Sequence, residues 1–198
     1  MRIVELIKGL APSAVSGPGD TSVSGLHYDS RQVRPGGLFF ALPGAHADGR
    51  DFIPAALANG AVAVVAEGPL SLPDHVAGIV VANARKAMAM AAHRFFDYPL
   101  RGIKVVGITG TNGKTTVATL LSELRSRWYP TGYIGTIANQ YNRALSNQPH
   151  TTPDAIRLHR MLRAMLDDGL TGVAMEVSSH GLVQRRVDSV VFDVAIMT

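Results

Sequence analysis

Apolar residues in the first half of the chain form short runs that glycine, proline or charged residues interrupt. These runs predict buried strands at residues 37–42, 61–66 and 79–82. A helix is predicted over residues 52–59, because its apolar positions recur at helical spacing and Gly60 follows the last of them. The order of strand, helix and strand predicts a small α/β unit.

From residue 84 onward the chain alternates in the same way, with longer helices. Predicted helices span residues 84–96, 114–127 and 153–168, and predicted strands span residues 105–109, 133–137, 173–177 and 191–197. Parallel strands need crossover connections, which are usually helical, so this alternation predicts parallel sheets flanked by helices. We therefore expect the α/β class, with a small N-terminal domain at residues 1–98 and a parallel-sheet domain at residues 99–198.

The N-terminus and the connections add little regular structure. The first ten residues predict a short amphipathic helix and not a secretory signal, because Arg2, Glu5 and Lys8 interrupt the apolar positions. Residues 12–19 are rich in Ser, Gly and Pro and predict a flexible stretch. Charged residues, glycine or proline interrupt every apolar run well before the ~20 residues of a membrane-spanning helix. We therefore expect a cytoplasmic protein with no membrane partner.

The composition of the chain limits the kinds of site and partner that it can have. The 198-residue chain is 46% apolar and 17% charged, which predicts a folded protein. It contains no cysteine, which removes disulfides, thiol nucleophiles and thiolate metal sites. The formal net charge of +4 is spread along the chain, which is typical of a solvated surface and not of a nucleic-acid interface. Small anionic molecules are the expected partners, and nucleic acid is not.

A glycine-rich segment, Gly110-Thr-Asn-Gly-Lys-Thr-Thr116, lies between a β-branched strand and an amphipathic helix, which is the context of a phosphate-binding loop. Glycines let backbone N–H groups turn toward phosphate oxygens, Lys114 can reach the terminal phosphates, and the Thr115 hydroxyl can bind Mg²⁺. The general pattern has glycine where this chain has Ile108, with Gly107 beside it. The alternative is a glycine-rich turn that only caps a helix. The predicted nucleotide-binding residues are Gly110, Thr111, Asn112, Gly113, Lys114, Thr115 and Thr116.

The sequence of this loop and the residues before it, Gly107-Ile-Thr-Gly-Thr-Asn-Gly-Lys-Thr-Thr116, resembles the Mur ligase family. Further segments carry the resemblance along nearly the whole chain and in the right order. They are Tyr28-Asp-Ser-Arg31, Pro35-Gly-Gly-Leu-Phe-Phe-Ala-Leu42, Ala47-Asp-Gly-Arg50, Thr151-Thr-Pro-Asp154 and Met175-Glu-Val-Ser-Ser-His-Gly-Leu-Val-Gln-Arg-Arg-Val187. Within the family they are most similar to the ligase that adds the third amino acid of the peptidoglycan stem.

The resemblance implies an ATP-dependent amide ligase. The carboxylate of a UDP-N-acetylmuramoyl dipeptide attacks the γ-phosphate of ATP, and the amine of an incoming amino acid, diaminopimelate or lysine, displaces phosphate from the acyl phosphate. Lys114 and Mg²⁺ suit the neutralisation of the charge that develops. The resemblance implies that Glu176, at the end of a predicted strand, helps Thr115 to hold Mg²⁺. The alternative for Glu176 is a carboxylate satisfied by local backbone donors.

The resemblance also implies contacts to the sugar nucleotide from both predicted domains, the first of which would be the UDP-sugar-binding domain. The implied residues are Tyr28, Ser30, Ala45, His46, Ala47, His150, Thr151, Thr152, Ser178, Gln184 and Arg186. Hydroxyl groups suit phosphate or sugar oxygens, and Arg186 can bind an anion through two nitrogens. Ser30 could instead be a turn residue, Arg186 a surface charge, and Thr151 or Thr152 the cap of a helix that begins at Pro153. His180 is interpreted as structural.

Members of the family are more than twice this length, and the chain contains neither an amino-acid-binding domain nor the lysine that members carboxylate. We therefore expect a fragment that cannot complete the amide bond. We also expect its strand at residues 191–197 to be uncovered, with self-association or loose order of the second domain as the result. Alternatives are another Mur-type or folylpolyglutamate-type ligase, a non-catalytic module that binds ATP or a UDP-sugar, and a phosphoryl-transfer kinase.

Overall fold

The computed structural model describes residues 1–44, 47–136 and 151–198. Two compact units divide the chain, Met1–Phe95 and Phe96–Thr198. Three of the residues implied to bind the sugar nucleotide, Ala45, His46 and His150, lie outside the described residues. Within the described part of the chain, no helix is long and apolar enough to cross a membrane.

The first unit is built on a five-stranded sheet with the spatial order β1-β5-β4-β3-β2. Its strands are β1 (Ala14–Ser16), β2 (Gly25–His27), β3 (Gly37–Ala41), β4 (Ala61–Ala66) and β5 (Ala77–Val80). Strands β2 to β5 are parallel, and β1 pairs antiparallel with β5. The helices are α1 (Ile3–Leu6), α2 (Ile53–Ala58) and α3 (Ala84–Phe95).

Burial explains why the central strands were predictable. All five residues of β3 are buried, and Phe39 packs with Val64 and Ala56 in one apolar cluster. A parallel strand covered on both faces has a nearly continuous apolar sequence, which is the pattern of residues 37–42 and 61–66. Both predicted strands are confirmed.

One prediction about the first unit was wrong. The stretch at residues 12–19 contains β1, which pairs with β5 from Ala14 opposite Val80 to Ser16 opposite Gly78. All three residues of β1 are exposed, so the strand forms through backbone hydrogen bonds and has no apolar pattern to reveal it. The predicted short N-terminal helix is confirmed as α1, which is four residues long, and the chain has left the helical conformation by Gly9, which has φ of 86°.

The second unit is built on a four-stranded parallel sheet with the order β7-β8-β6-β9. Its strands are β6 (Lys104–Thr109), β7 (Thr131–Ile134), β8 (Gly172–Glu176) and β9 (Val194–Met197). The helices are α4 (Lys114–Ser126), α5 (Ala155–Asp167) and α6 (Ser179–Val183). Parallel strands joined through helices confirm the predicted α/β class.

Helices α4 and α5 cover opposite faces of this sheet. Successive side chains of a strand point to opposite faces, and in β8 Val173 and Met175 belong to the cluster that contains Leu162 of α5. Ala174, between them, belongs to the cluster that contains Ala118 of α4. All four strands run in one direction, so their carboxyl ends meet at one edge of the sheet. The loops that follow the strands bring the candidate site together at this edge.

A charged contact ties the two strands at the β9 side of this sheet. Asp193, just before β9, accepts hydrogen bonds from Lys104 Nζ and from the backbone N–H of Val105, each at 2.8 Å. The Lys104 side chain, with the Val105 N–H, holds the pKa of the Asp193 carboxyl below its ordinary value. The carboxylate therefore extends the pairing of β6 by one residue beyond the regular strand.

Candidate functional site

The loop between β6 and α4 has the conformation that its glycines permit. Gly110 has φ of 140° and Gly113 has φ of 80°, both in the region that side chains disfavour. A Cβ atom at Gly110 would also overlap the carbonyl oxygen of Thr198, which follows β9. Gly113 is the N-cap of α4 and has no side chain to bond the first-turn N–H groups. The first-turn N–H groups can therefore bind an anion, as a phosphate-binding loop requires.

Lys114 is the first residue of α4, and its side chain folds back over the loop. The Nζ atom donates hydrogen bonds to the carbonyl oxygens of Gly110 at 2.7 Å and of Thr111 at 3.3 Å. These neutral acceptors hold the ammonium group next to the N-terminus of the helix. An incoming polyphosphate would offer the ammonium group charged acceptors, which form stronger hydrogen bonds.

Glu176, the last residue of β8, is 1% exposed and places a buried carboxyl group at the site. Its Oε2 atom accepts a hydrogen bond from the Thr115 hydroxyl at 3.0 Å. Its Oε1 atom accepts from the backbone N–H of Thr136 at 3.0 Å and from the Tyr133 hydroxyl. The donors are therefore mainly hydroxyl groups from β7, its following loop and α4, and not local backbone groups of the same strand end.

Gly135 makes this arrangement sterically feasible. A Cβ atom at this position would overlap both Glu176 Oε1 and the phenol oxygen of Tyr133. Tyr133, Gly135 and Thr136 were not among the predicted site residues. The predicted strand extended to residue 137, whereas β7 ends at Ile134, so the sequence did not reveal that Gly135 and Thr136 lie in the loop at the carboxyl edge, where ligands of parallel sheets bind.

The donor set suits Mg²⁺. Adjacent ligands of an octahedral Mg²⁺ ion bonded at ~2.1 Å lie about 3 Å from each other. Thr115 Oγ1 and Glu176 Oε2 are separated by 3.0 Å, and both are hard oxygen donors. Within the described ranges, no group of three or more His, Cys, Asp or Glu side chains could hold a metal ion. A magnesium ion at a nucleotide site needs only one or two protein ligands besides phosphate oxygens.

Four of the residues implied to bind the sugar nucleotide form one hydrogen-bonded cluster beside the end of β8. Thr152 is completely buried, and its hydroxyl donates to the Glu176 carbonyl at 3.0 Å and accepts from the Ser178 N–H at 2.9 Å. Arg186 donates to the carbonyl oxygen of Thr152 and, through Nε, to Gln184 Oε1 at 3.0 Å. The Arg186 side chain is half-buried and its guanidinium group is hydrogen-bonded, which does not fit an ordinary surface charge.

The neighbouring helix caps correct one alternative. Asp154 is the N-cap of α5 and accepts a hydrogen bond from the Arg157 N–H at 2.9 Å, so the helix begins at Ala155. The alternative in which Thr151 or Thr152 caps a helix that begins at Pro153 is wrong, because the Asp154 carboxylate caps the helix instead.

The other side chains near these caps have separate environments. Ser178 caps the short helix α6 through the Gly181 N–H at 3.1 Å. Thr151 accepts a hydrogen bond from the Thr136 hydroxyl at 3.2 Å, which links it to the loop after β7. His180 is exposed on α6.

The implied residues of the first unit lie around β2 and β3. Tyr28, directly after β2, is 45% exposed, and Ser30 is 7% exposed at the start of a single 3₁₀ turn. The Ser30 carbonyl accepts from Asn59 Nδ2 at 2.9 Å. Asp29, between Tyr28 and Ser30 in the sequence, accepts hydrogen bonds from the Arg31 guanidinium, which holds the pKa of the Asp29 carboxyl below its ordinary value. Ala47 is exposed, and its carbonyl accepts from the Gly44 N–H at 3.1 Å.

Comparison with known families matches both units. The Mur ligase family catalytic-domain profile matches residues 22–96, and the Mur ligase middle-domain profile matches residues 108–198. A UDP-N-acetylmuramoyl-L-alanyl-D-glutamate–2,6-diaminopimelate ligase of Geobacter sulfurreducens is 48% identical over 199 aligned residues, which include the whole of this chain and 39% of the relative.

Solved structures give the same result. A structure of a UDP-N-acetylmuramoyl-L-alanyl-D-glutamate–2,6-diaminopimelate ligase aligns with the whole chain at a TM-score of 0.80 and 30% identity. The MurF ligase of Thermotoga maritima in complex with ADP aligns with 89% of the chain at a TM-score of 0.56 and 25% identity. The matched parts are 40% and 37% of those two proteins, so the chain spans about 40% of the length of the relatives it matches. The two family profiles and the identity over the whole chain show that it belongs to the Mur ligase family, whose members are ligases.

Proposed function

We propose that this chain supplies the nucleotide-binding part of an ATP-dependent ligase of peptidoglycan synthesis. The ligase would add diaminopimelate or lysine to UDP-N-acetylmuramoyl-L-alanyl-D-glutamate. One observation carries the proposal: the phosphate-loop ammonium of Lys114 and the Thr115–Glu176 oxygen pair lie at the carboxyl edge of one parallel sheet. The names of the relatives support the choice of substrate, and the ADP complex of a structural relative supports nucleotide binding.

The proposed reaction has two steps. The terminal carboxylate of the dipeptide takes the γ-phosphoryl group, which gives an acyl phosphate and ADP. The amine of the amino acid then attacks the acyl carbon, phosphate leaves, and the amine loses a proton. In the first step, Lys114 and the first-turn N–H groups of α4 stabilise the charge on the phosphoryl oxygens. When bound, Mg²⁺ supplies further positive charge, and Thr115 and Glu176 would hold it.

The sugar nucleotide is proposed to contact Tyr28, Ser30 and Ala47 in the first unit. In the second unit, the proposed contacts are Thr151, Ser178, Gln184 and Arg186. Thr152 would act through Ser178, because its own buried hydroxyl already bonds the Ser178 N–H and the Glu176 carbonyl. We also propose that the protein works in the cytoplasm.

Calorimetric titration tests this function. ATP with Mg²⁺ and the UDP-N-acetylmuramoyl dipeptide are titrated separately into the protein, and both are expected to bind. Binding of ATP without any binding of the UDP-sugar would favour a nucleotide switch or a kinase and contradict the proposal. A relative of the folylpolyglutamate type would also fail to bind the UDP-sugar, so the second titration separates Mur-type ligases from folylpolyglutamate-type ligases.

We also propose that two copies associate through strand β9. Among the residues that the structure describes, β9 is one of the two edge strands of the four-stranded sheet, and its Val194 and Met197 are 51% and 85% exposed. An exposed apolar edge strand can pair with the same strand of another copy. Sedimentation velocity is expected to show a dimer fraction that rises with protein concentration. A single monomeric species across a hundredfold concentration range would contradict this.

A further inference from the structure

Tyr133 combines an apolar environment with a polar contact. The residue is 2% exposed on β7, and its ring packs in the cluster formed with Ile108, Ala118 and Ala174. A purely apolar side chain would satisfy that packing equally well. The hydroxyl of Tyr133 donates to Glu176 Oε1. The phenol therefore contributes something at the carboxylate that packing alone does not require.

The two oxygens of Glu176 have different partners. Oε1 accepts from the Tyr133 hydroxyl and the Thr136 N–H, while Oε2 faces the hydroxyl of Thr115 at 3.0 Å. The Thr136 hydroxyl lies farther from Oε2, at 3.4 Å. With both donors on Oε1, rotation of the carboxylate about its terminal bond would break two hydrogen bonds. The contacts thus keep Oε2 directed toward the first turn of α4.

We propose that Tyr133 is a positioning residue for the metal–nucleotide site: its hydroxyl fixes the Glu176 carboxylate so that Oε2 and Thr115 Oγ1 form a ready-made pair of ligands for nucleotide-bound Mg²⁺. The proposal rests on the proposed ATP-binding function and assigns a role to a residue that does not itself contact the nucleotide. A partner that orients a metal-binding carboxylate contributes to metal affinity even though it never touches the metal.

Substitution of Tyr133 by phenylalanine separates positioning from simple packing. Phenylalanine keeps the ring among its apolar neighbours and leaves Glu176 Oε1 with the Thr136 N–H, but it removes one of the two hydrogen bonds that resist rotation of the carboxylate. In the unmodified protein, Mg²⁺ is expected to strengthen ATP binding relative to the same titration in EDTA. In Tyr133→Phe, this strengthening is expected to fall about 10-fold or more, the usual effect of losing a partner that orients a metal ligand. ATP affinity in EDTA is expected to stay unchanged.

Tyr129→Phe is the matched control. Tyr129 is 58% exposed after α4, and its ring lies beside the Arg125 guanidinium, a contact that phenylalanine retains. This variant loses the same hydroxyl group and is expected to show the full effect of Mg²⁺. A second control places Tyr133→Phe in a Glu176→Gln background. Because Tyr133 acts through the Glu176 carboxylate, the hydroxyl should make little further difference there.

The outcomes are distinct. If Tyr133→Phe lowers the free energy of unfolding but retains the full Mg²⁺ effect, the hydroxyl is only structural and the inference is wrong. If the unmodified chain binds no ATP, both the proposed function and this inference fail. If Tyr133→Phe does not fold, Tyr133→Leu, which suits the same apolar cluster, serves in its place and is expected to show the same selective loss with Mg²⁺.

Discussion

Alanine in place of Lys114 is expected to weaken ATP binding by about two orders of magnitude. The Nζ atom lies over the loop, bonded to carbonyl oxygens that a polyphosphate would replace with charged acceptors. A hydrogen bond to a charged group contributes about 1.5–3 kcal/mol, and each 1.4 kcal/mol is a tenfold change in affinity. Since Lys114 can meet more than one phosphate oxygen, the upper part of that range applies. Isothermal titration with Mg²⁺ and ATP measures the loss.

Lys86→Ala is the matched control for this variant. Lys86 is exposed on α3, so its substitution removes the same unit of positive charge at a site without a phosphate loop. We expect its ATP affinity to equal that of the unmodified protein. The free energy of unfolding should be nearly unchanged in both variants, because the Lys114 side chain is half-buried and bonds only its own loop. An ATP affinity of Lys114→Ala within threefold of the control would show that the ammonium group does not meet the phosphates.

Alanine in place of Gly135 is expected to have the second large effect. Its Cβ atom would overlap Glu176 Oε1 and the Tyr133 phenol oxygen, both of which are buried. Added volume in a close-packed interior costs about 1–3 kcal/mol. The least costly adjustment moves the carboxylate away from Thr115, so the Mg²⁺-dependent part of ATP binding should be lost together with stability. Urea unfolding followed by circular dichroism and titrations of ATP with Mg²⁺ or EDTA measure the two effects.

Gly169→Ala is the control that separates the loss of stability from the loss of the Mg²⁺ effect on ATP binding. Gly169 ends α5 with φ of 82°, and a Cβ atom there would meet nothing within 4 Å. Alanine at that position strains the backbone by roughly 1 kcal/mol without approaching the carboxylate. It is expected to lower stability and leave the Mg²⁺ effect on ATP binding intact. If Gly135→Ala behaved in the same way as Gly169→Ala, the steric argument for Gly135 at the site would be refuted.

The regular elements of the second unit show which features can be predicted from residues that are close in sequence. The predicted start of α4 at Lys114 is confirmed, because a positive-φ glycine must precede an amphipathic helix in a phosphate loop. Strand β8 begins one residue before its predicted start and ends one residue before its predicted end. These features depend on residue spacing and on glycine conformation, both of which are properties of neighbouring residues.

The partners of the site residues could not be predicted in this way. Tyr133 and Glu176 are 43 residues apart in sequence, and Arg186 and Thr152 are 34 apart. The need for glycine at two site positions also has different origins. Gly110 belongs to a loop pattern, whereas the need for Gly135 exists only because Glu176 and Tyr133 lie against it.

The sequence by itself determined the α/β class, the phosphate loop and the family resemblance, because β-branched runs, amphipathic spacing and glycine-rich turns act over a few residues. Only the tertiary structure decided that β1 joins the sheet antiparallel, that Arg186 bonds Thr152, and that Tyr133 and Gly135 surround Glu176. The physical reason is that strand order sets which loops meet at the carboxyl edge of a parallel sheet. Strand order depends on packing between segments that are distant along the chain.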